Sequence, residues 1–233
     1  MHTNHNTGKE PQVAENVHAA FLIDQSGSMN PLVDDVIGGY NQFVANQRKA
    51  EVAGDCTFTA VQFDTTEPFK VINDATPISE VSDLTPADYR PNGGTPLLDA
   101  LGRLIRTIEK RVDTSKVPED QIVVVFTDGH ENASTEWTRE DLFRVITEKE
   151  NDGWTFIFMG ANQDAYATGR GLGIKHENIQ NFKNDGRGTR TAMDAVDKSL
   201  LSYRQAAPSQ KRLRKSDFYG GVKDAEKDLQ TRK

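Results

Sequence analysis

The sequence predicts an α/β fold: a doubly wound, mostly parallel Rossmann-like sheet with helices on both faces and one antiparallel edge strand. Three observations predict it. Apolar runs at 18–23, 122–126 and 154–159 are continuous rather than alternating, the pattern of strands buried on both faces. Segments with apolar residues at helical spacing separate them. Two of the runs end alike, in an aspartate within a turn-forming sequence: Asp24-Gln25-Ser26-Gly27-Ser28 and Thr127-Asp128-Gly129.

Each element follows from its own pattern. The strand at 18–23 feeds a helix that begins after Pro31 and gathers Leu32, Val36, Ile37, Tyr40, Phe43 and Val44 on one face. Residues 56–63 and 67–72 read as two strands joined by Asp64-Thr65-Thr66, a connection of hairpin length that implies the antiparallel edge. Residues 73–94, with Pro77, Pro86, Pro91 and Gly93-Gly94, read as a long surface segment with at most one helical turn. Thr95-Pro96 then opens a helix to about 112, with Thr95 at the position of an N-cap. Beyond the strand at 122–127, Thr138-Arg139-Glu140-Asp141 has the form of a capping box ahead of a third helix. A strand at 154–159, a short helix near 164–171, a weak strand at 178–182 and a helix at 189–203 complete the alternation. In such sheets ligands sit outside the carboxyl ends of the strands, where the winding reverses. Asp24 and Asp128 both stand at such ends.

The residue types there suit a hard cation. Mg²⁺ takes about six oxygen ligands in near-octahedral geometry and keeps some of its water. Hydroxyls of Ser26, Ser28 and Thr95 would coordinate it without cancelling its charge, while Asp24 and Asp128 would orient bound waters and the serine hydroxyls. Asp-x-Ser-x-Ser, then a Thr, then an Asp, in this order and spacing, resembles the metal-ion-dependent adhesion site (MIDAS) of von Willebrand factor A (VWA) domains. The resemblance covers roughly residues 17–204 and includes all five liganding positions. It implies a metal-dependent protein-protein interaction module. The cation, Mg²⁺ with Mn²⁺ or Ca²⁺ as alternatives, would recruit an Asp or Glu of a partner protein. The comparison with intracellular bacterial VWA proteins further implies an adaptor beside an AAA+ ATPase, or in a stress-resistance or defence complex.

Composition sets the remaining expectations. The 233 residues suit one domain, read here as a flexible N-terminal tail (1–16), the VWA domain (17–204) and a basic C-terminal tail (205–233). Residues 1–15 lack the apolar centre of a signal peptide, no run is long enough to span a membrane, and the only cysteine is Cys56. These features lead to a cytoplasmic expectation. The net charge of −7 divides into +5 over residues 203–233 and −12 over the rest, so an acidic body disfavours nucleic acid except at the tail.

Weaker signals have plainer readings. Gly169-Arg170-Gly171-Leu172-Gly173 lacks the context of a phosphate loop and reads as a helix end. Asn162 and Asp164 leave a strand at the same end of the sheet as the metal motif and read first as helix caps; His130 and Glu131 read as exposed loop, and Asn30, Pro31 and Asp34 as rim. The five histidines are scattered without metal-ligand spacing, which argues against a zinc enzyme. A metal-assisted phosphatase or hydrolase is the enzyme alternative, but the sequence offers no evident general base or paired acid, so the expectation is a binding protein. An RNA-associated scaffold would rest on the basic tail alone.

Overall fold

The computed structural model describes residues 15–115, 117–161 and 164–231. Six strands form one sheet in the order β3-β2-β1-β4-β5-β6: β1 (Asn16–Asp24), β2 (Cys56–Phe63), β3 (Lys70–Pro77), β4 (Glu119–Thr127), β5 (Thr155–Ala161) and β6 (Ile179–Phe182). All neighbours are parallel except β2 and β3. The winding turns outward in both directions from β1 and β4, which makes the space beyond their carboxyl ends the natural ligand crevice.

Strand periodicity divides the core into two layers. In β1, Ala19, Phe21 and Ile23 face one cluster, while Ala20 and Leu22 face the other. The first face packs against α1 (Val33–Lys49) and α5 (Gly186–Gln205); the second packs against α2 (Leu97–Thr114), α3 (Arg139–Asn151) and α4 (Ala165–Gly171). Both layers are needed because a parallel sheet exposes neither face. The Thr138 capping box forms as its sequence predicts, with the Thr138 hydroxyl accepting from Asp141 N and the Asp141 carboxylate accepting from Thr138 N.

Two segments differ from their sequence patterns. The second strand of the hairpin begins at Lys70, not 67, and runs on to Pro77. Asp64 Oδ1 accepts from Thr66 N and Glu67 N at 2.5 and 2.6 Å, so Asp64 winds the connection into a longer loop that uses up Glu67 and Pro68. The segment that follows has no α-helix among its described residues, yet Ile78, Val81, Leu84 and Tyr89 bury themselves against the first layer. Asn41 fixes it by bonding both N and O of Leu84.

The basic C-terminal stretch is not a loose appendage. It folds as α6 (Pro208–Ser216) and α7 (Asp224–Thr231), with Phe218, Tyr219 and Ala225 buried in the first core layer. Two of its cations are engaged with the body: Lys215 Nζ donates to Asp120 Oδ1 and Gly153 O, and Lys223 Nζ donates to Tyr166 OH and Ile179 O. Glu226 Oε1 accepts from Asn181 N at 3.2 Å, so α7 covers the edge that β6 would otherwise leave open. No helix among the described residues is long and apolar enough to cross a membrane.

His18 ties the middle of the sheet together across three strands. Its Nδ1 donates to Gln121 Oε1 on β4 (2.6 Å), and its Nε2 accepts from Thr59 Oγ1 on β2 (2.9 Å). Burial, with the nearby Arg111 charge, pushes its pKa down from 6.5 to about 4. A ring held neutral by the fold stabilises it above pH 6.5, and that stabilisation is lost as pH falls towards 4. Wild type should therefore lose on the order of 3 kcal/mol relative to His18→Gln between pH 7 and pH 4. Urea unfolding of both proteins at several pH values checks this, because groups common to the two cancel; a constant difference would show that His18 titrates normally.

Candidate metal centre

β1 and β4 lie side by side in parallel register, with Ile23 opposite Phe126, so Asp24 and Asp128 emerge together at the crevice. Both carboxylates are buried, at 0 and 4% exposure. A buried charge needs compensating partners, and the loops supply them.

Asp24 is held on three sides. Its Oδ1 accepts from Ser26 N (2.7 Å), its Oδ2 from Thr127 Oγ1 (2.5 Å) and its carbonyl from Tyr89 OH (2.6 Å). Burial nevertheless raises its pKa from 3.8 to about 6; the Thr127 and Ser26 hydrogen bonds oppose the rise, and the Asp128 charge adds to it. Burial and the same two carboxylates push the Tyr89 hydroxyl well above its ordinary range, which keeps it a donor. Asp128 takes Ser28 Oγ on Oδ1 (2.6 Å) and Asn184 Nδ2 on Oδ2 (3.2 Å). Ser26 Oγ and Ser28 Oγ are 3.1 Å apart at the start of a 3₁₀ turn, Gly27–Leu32.

Thr95 is not a helix cap. α2 starts at Leu97, and its first amides are served from elsewhere: Leu98 N donates to Glu131 Oε2 (2.9 Å) and Ser134 Oγ (3.0 Å), and Asp99 N to Ser134 Oγ (3.1 Å). Asn132 clamps the Thr95 backbone, accepting from its N (2.8 Å) and donating to its O (3.2 Å). The Thr95 hydroxyl is left to the crevice. Gly129 shows where it points: a Cβ built there would lie 3.0 Å from Thr95 Oγ1, 3.5 Å from Asp24 Oδ2 and 3.6 Å from Ser28 Oγ. Three oxygens from two separate segments, the Asp24–Ser28 turn and Thr95, thus border one small space, which the absence of a side chain at Gly129 keeps open.

The structure brings all five sequence-predicted residues together: Asp24, Ser26, Ser28, Thr95 and Asp128. The residues with weaker signals have other duties. Glu131 is not a free loop residue, since its carboxylate accepts from Ala133 N, Ser134 N and Leu98 N in capping α2. Asp164 caps α4 by accepting from Ala167 N. Asn30 does belong to the rim, where its Nδ2 reaches Gly27 O (3.0 Å) and Pro91 O (3.3 Å). Asn162 lies outside the described residues. The residues that sequence reasoning missed are the supporting ones: Thr127, Tyr89, Asn132 and Asn184. Only Thr127 carried a signal, its place beside Asp128.

The donor set is two carboxylates and three hydroxyls, all oxygen, which fits a hard divalent cation. Among the described residues no three His, Cys, Asp or Glu side chains gather as a metal cluster. The chemistry here rests on the hydroxyls.

Fold and site together define a class, and comparison with known proteins names it. The family model for the von Willebrand factor type A domain matches residues 19–195, and the chain belongs to that family. Its fold is similar to the ArnB paralog VWA2 of Sulfolobus acidocaldarius (14% identity, TM-score 0.53, covering 79% of this chain and 46% of that one). It is likewise similar to proximal thread matrix protein 1 of the mussel byssus, seen with a zinc-occupied MIDAS motif (16%, 0.59, 82% and 49%). A third similar structure is the manganese-loaded TRAP protein of Plasmodium vivax (16%, 0.53, 77% and 72%). The chain spans about half the length of the first two. No curated protein matches the sequence.

The Thr127 hydroxyl gives a test of the site's internal wiring. Thr127→Val keeps the shape but leaves a buried carboxylate oxygen of Asp24 without its donor. Urea unfolding in chelator should show a loss of about 1.5–3 kcal/mol at pH 7, the range for a hydrogen bond to a charged group. The loss should shrink at pH 5, where Asp24 holds a proton. An unchanged stability would mean that water replaces the hydroxyl without cost.

Proposed function

We propose that this VWA domain is a metal-dependent docking module, in which Ser26, Ser28 and Thr95 hold a divalent cation with Asp24 and Asp128 behind them. VWA domains are known as a metal-dependent adhesion and protein-interaction fold, and relatives carry manganese or zinc. The observation that carries the reading is the convergence of Thr95, Asp24 and Ser28 oxygens around the open face of Gly129. When bound, the cation supplies an electrophilic position for a carboxylate from a partner. Mg²⁺ is the ion that the oxygen set and cellular abundance favour, with Mn²⁺ or Ca²⁺ as substitutes.

The chain's own residues do the rest. Neutral hydroxyls leave the site electrophilic, because they add no charge to that of the two aspartates. The Ser28 Oγ to Asp128 Oδ1 hydrogen bond sets that hydroxyl's direction in advance, and the Ser26 N to Asp24 Oδ1 bond fixes the turn that carries Ser26. Ser28 is exposed while Asp24, Ser26 and Thr95 are buried, so the partner approaches over Ser28 and the neutral rim of Asn30, Asn92 and Gly93. We read the protein as a binding adaptor in the cytoplasm rather than an enzyme: the crevice offers hydroxyls and carboxylates already paired with one another, and His130, the nearest histidine in sequence, follows the loop without a role in the network described above. An intracellular complex of the AAA+, stress-resistance or defence type remains the partner setting this reading carries.

Calorimetric titration of Mg²⁺ and Mn²⁺ tests it. Wild type should bind one equivalent, and Asp24→Ala and Ser26→Ala with Ser28→Ala should bind none while remaining folded. Gly129→Ala is the sharper variant: its Cβ fills the space between Thr95, Asp24 and Ser28 without backbone strain, and should weaken the cation at least about tenfold. Equal binding by wild type and Gly129→Ala would place the ion elsewhere.

A further inference from the structure

Thr95 is the member of the site with the least local support. Asp24, Ser26 and Ser28 lie in one turn, and Ser28 Oγ binds that turn to Asp128 (2.6 Å). Thr95 instead sits in a stretch without regular secondary structure ahead of α2. Where its hydroxyl stands therefore depends on what holds the backbone of residues 92–95, and that backbone is held peptide by peptide. Asn92 N donates to Gln25 O (2.8 Å), Gly93 O accepts from Gly27 N (3.0 Å) and Gly94 N donates to Thr65 Oγ1 (2.9 Å). Thr95 N donates to Asn132 Oδ1 (2.8 Å), and Thr95 O accepts from Asn132 N (3.2 Å). The partners come from three loops: the turn after β1, the β2–β3 connection and the loop after β4.

Two glycines show how close this clamp is. A Cβ built at Gly93 would lie 2.2 Å from Thr65 Oγ1, and one at Gly94 would lie 2.8 Å from Asn132 Oδ1. Thr65 and Asn132 thus occupy the space of the side chains that the segment lacks. The loops that carry them are fixed in turn. Asp64 Oδ2 accepts from Gln25 Nε2 (3.1 Å), while its Oδ1 winds the connection that presents Thr65. Glu131 and Ser134 fasten the Asn132 loop to the first amides of α2. Asn132 itself is exposed, so core packing does not account for its place.

Resting on the docking reading above, we propose that Asn132, seconded by Thr65, is a positioning residue that sets the ion selectivity of the centre: by fixing the Thr95 backbone it makes the site discriminate by ion size, in favour of Mg²⁺ over Ca²⁺. The reason lies in what the two ions tolerate. Mg²⁺ demands oxygens at about 2.0–2.1 Å in near-ideal octahedral geometry, whereas Ca²⁺ accepts about 2.3–2.6 Å and a flexible arrangement. A hydroxyl held in one place serves one ion size. A hydroxyl on a loosened segment adapts to the larger ion and loses the preorganisation that the smaller one needs.

The test is calorimetric titration of the full chain with Mg²⁺ and, separately, Ca²⁺, scored as the ratio of the two dissociation constants. Wild type should favour Mg²⁺ by at least about tenfold. Asn132→Ala removes the acceptor for Thr95 N but keeps the backbone bond to Thr95 O; it should weaken Mg²⁺ about three- to tenfold and Ca²⁺ less than about twofold. Asn132→Asp restores an acceptor and should recover the wild-type ratio, whatever its added charge does to both affinities. Thr65→Val, which removes the acceptor for Gly94 N from a different loop, should narrow the ratio in the same direction, and it decides the question if Asn132→Ala does not fold. In a Thr95→Ala background, Asn132→Ala should no longer change the ratio. Equal weakening of both ions, as a general loosening of the domain would give, overturns the proposal. So does an unchanged ratio, or a wild type without preference for Mg²⁺. Failure of the docking reading itself looks different: wild type and Gly129→Ala then bind alike, or neither ion binds.

Discussion

Two buried carboxylates at the ends of neighbouring parallel strands are the constraint on which the rest of the structure turns. Asp24 and Asp128 sit where the sheet's winding reverses, and each is nearly sealed from water. Like charges buried together repel one another and oppose folding unless donors or a cation offset them. The surrounding architecture can be read as the set of donors that this pair requires. Thr127 and Tyr89 serve Asp24, Ser28 and Asn184 serve Asp128, and they come from four different stretches of chain.

The supply of donors explains features that otherwise look incidental. Tyr89 anchors the long segment after β3, so that loop is fixed to the site and not merely draped over α1. Glu131 and Ser134 cap α2, which relieves Thr95 of that duty and leaves its hydroxyl for the crevice. Asn184 lies just beyond β6, the strand whose edge is covered by α7 through Glu226 and Asn181. The C-terminal helices therefore steady the strand that carries a partner of Asp128. Asn184 Oδ1 is buried with no hydrogen-bond partner among the described residues, a second oxygen held close to the centre.

Much of this was legible in the sequence, and the division between what was and was not follows interaction range. Continuous apolar runs marked β1, β4 and β5 because burial on both faces is a property of the run itself. The Asp-x-Ser-x-Ser turn, Thr95 and Asp128 were legible because local chemistry and order along the chain define them. The true start of β3 was not, since a side chain, Asp64, shifts the turn at the expense of an apolar pattern. The sequence left Thr95 a second reading, as the N-cap of α2, because the true capping groups stand more than thirty residues away. Charge counting made the C-terminal stretch look like a solvated tail. Its buried Phe218, Tyr219 and Ala225 are too sparse to register as a periodic face, and its lysines find acceptors on the body only in three dimensions.

The most direct measurement is where a paramagnetic ion sits. Substoichiometric Mn²⁺ added to isotope-labelled protein broadens amide resonances according to their distance from the metal. An ion in the crevice selectively removes the amides of Ser26, Gly27, Ser28, Thr95 and Gly129 and leaves those of α6 and α7 unaffected. Broadening centred on surface carboxylates such as Asp194 and Asp224, with the crevice amides still sharp, would contradict it.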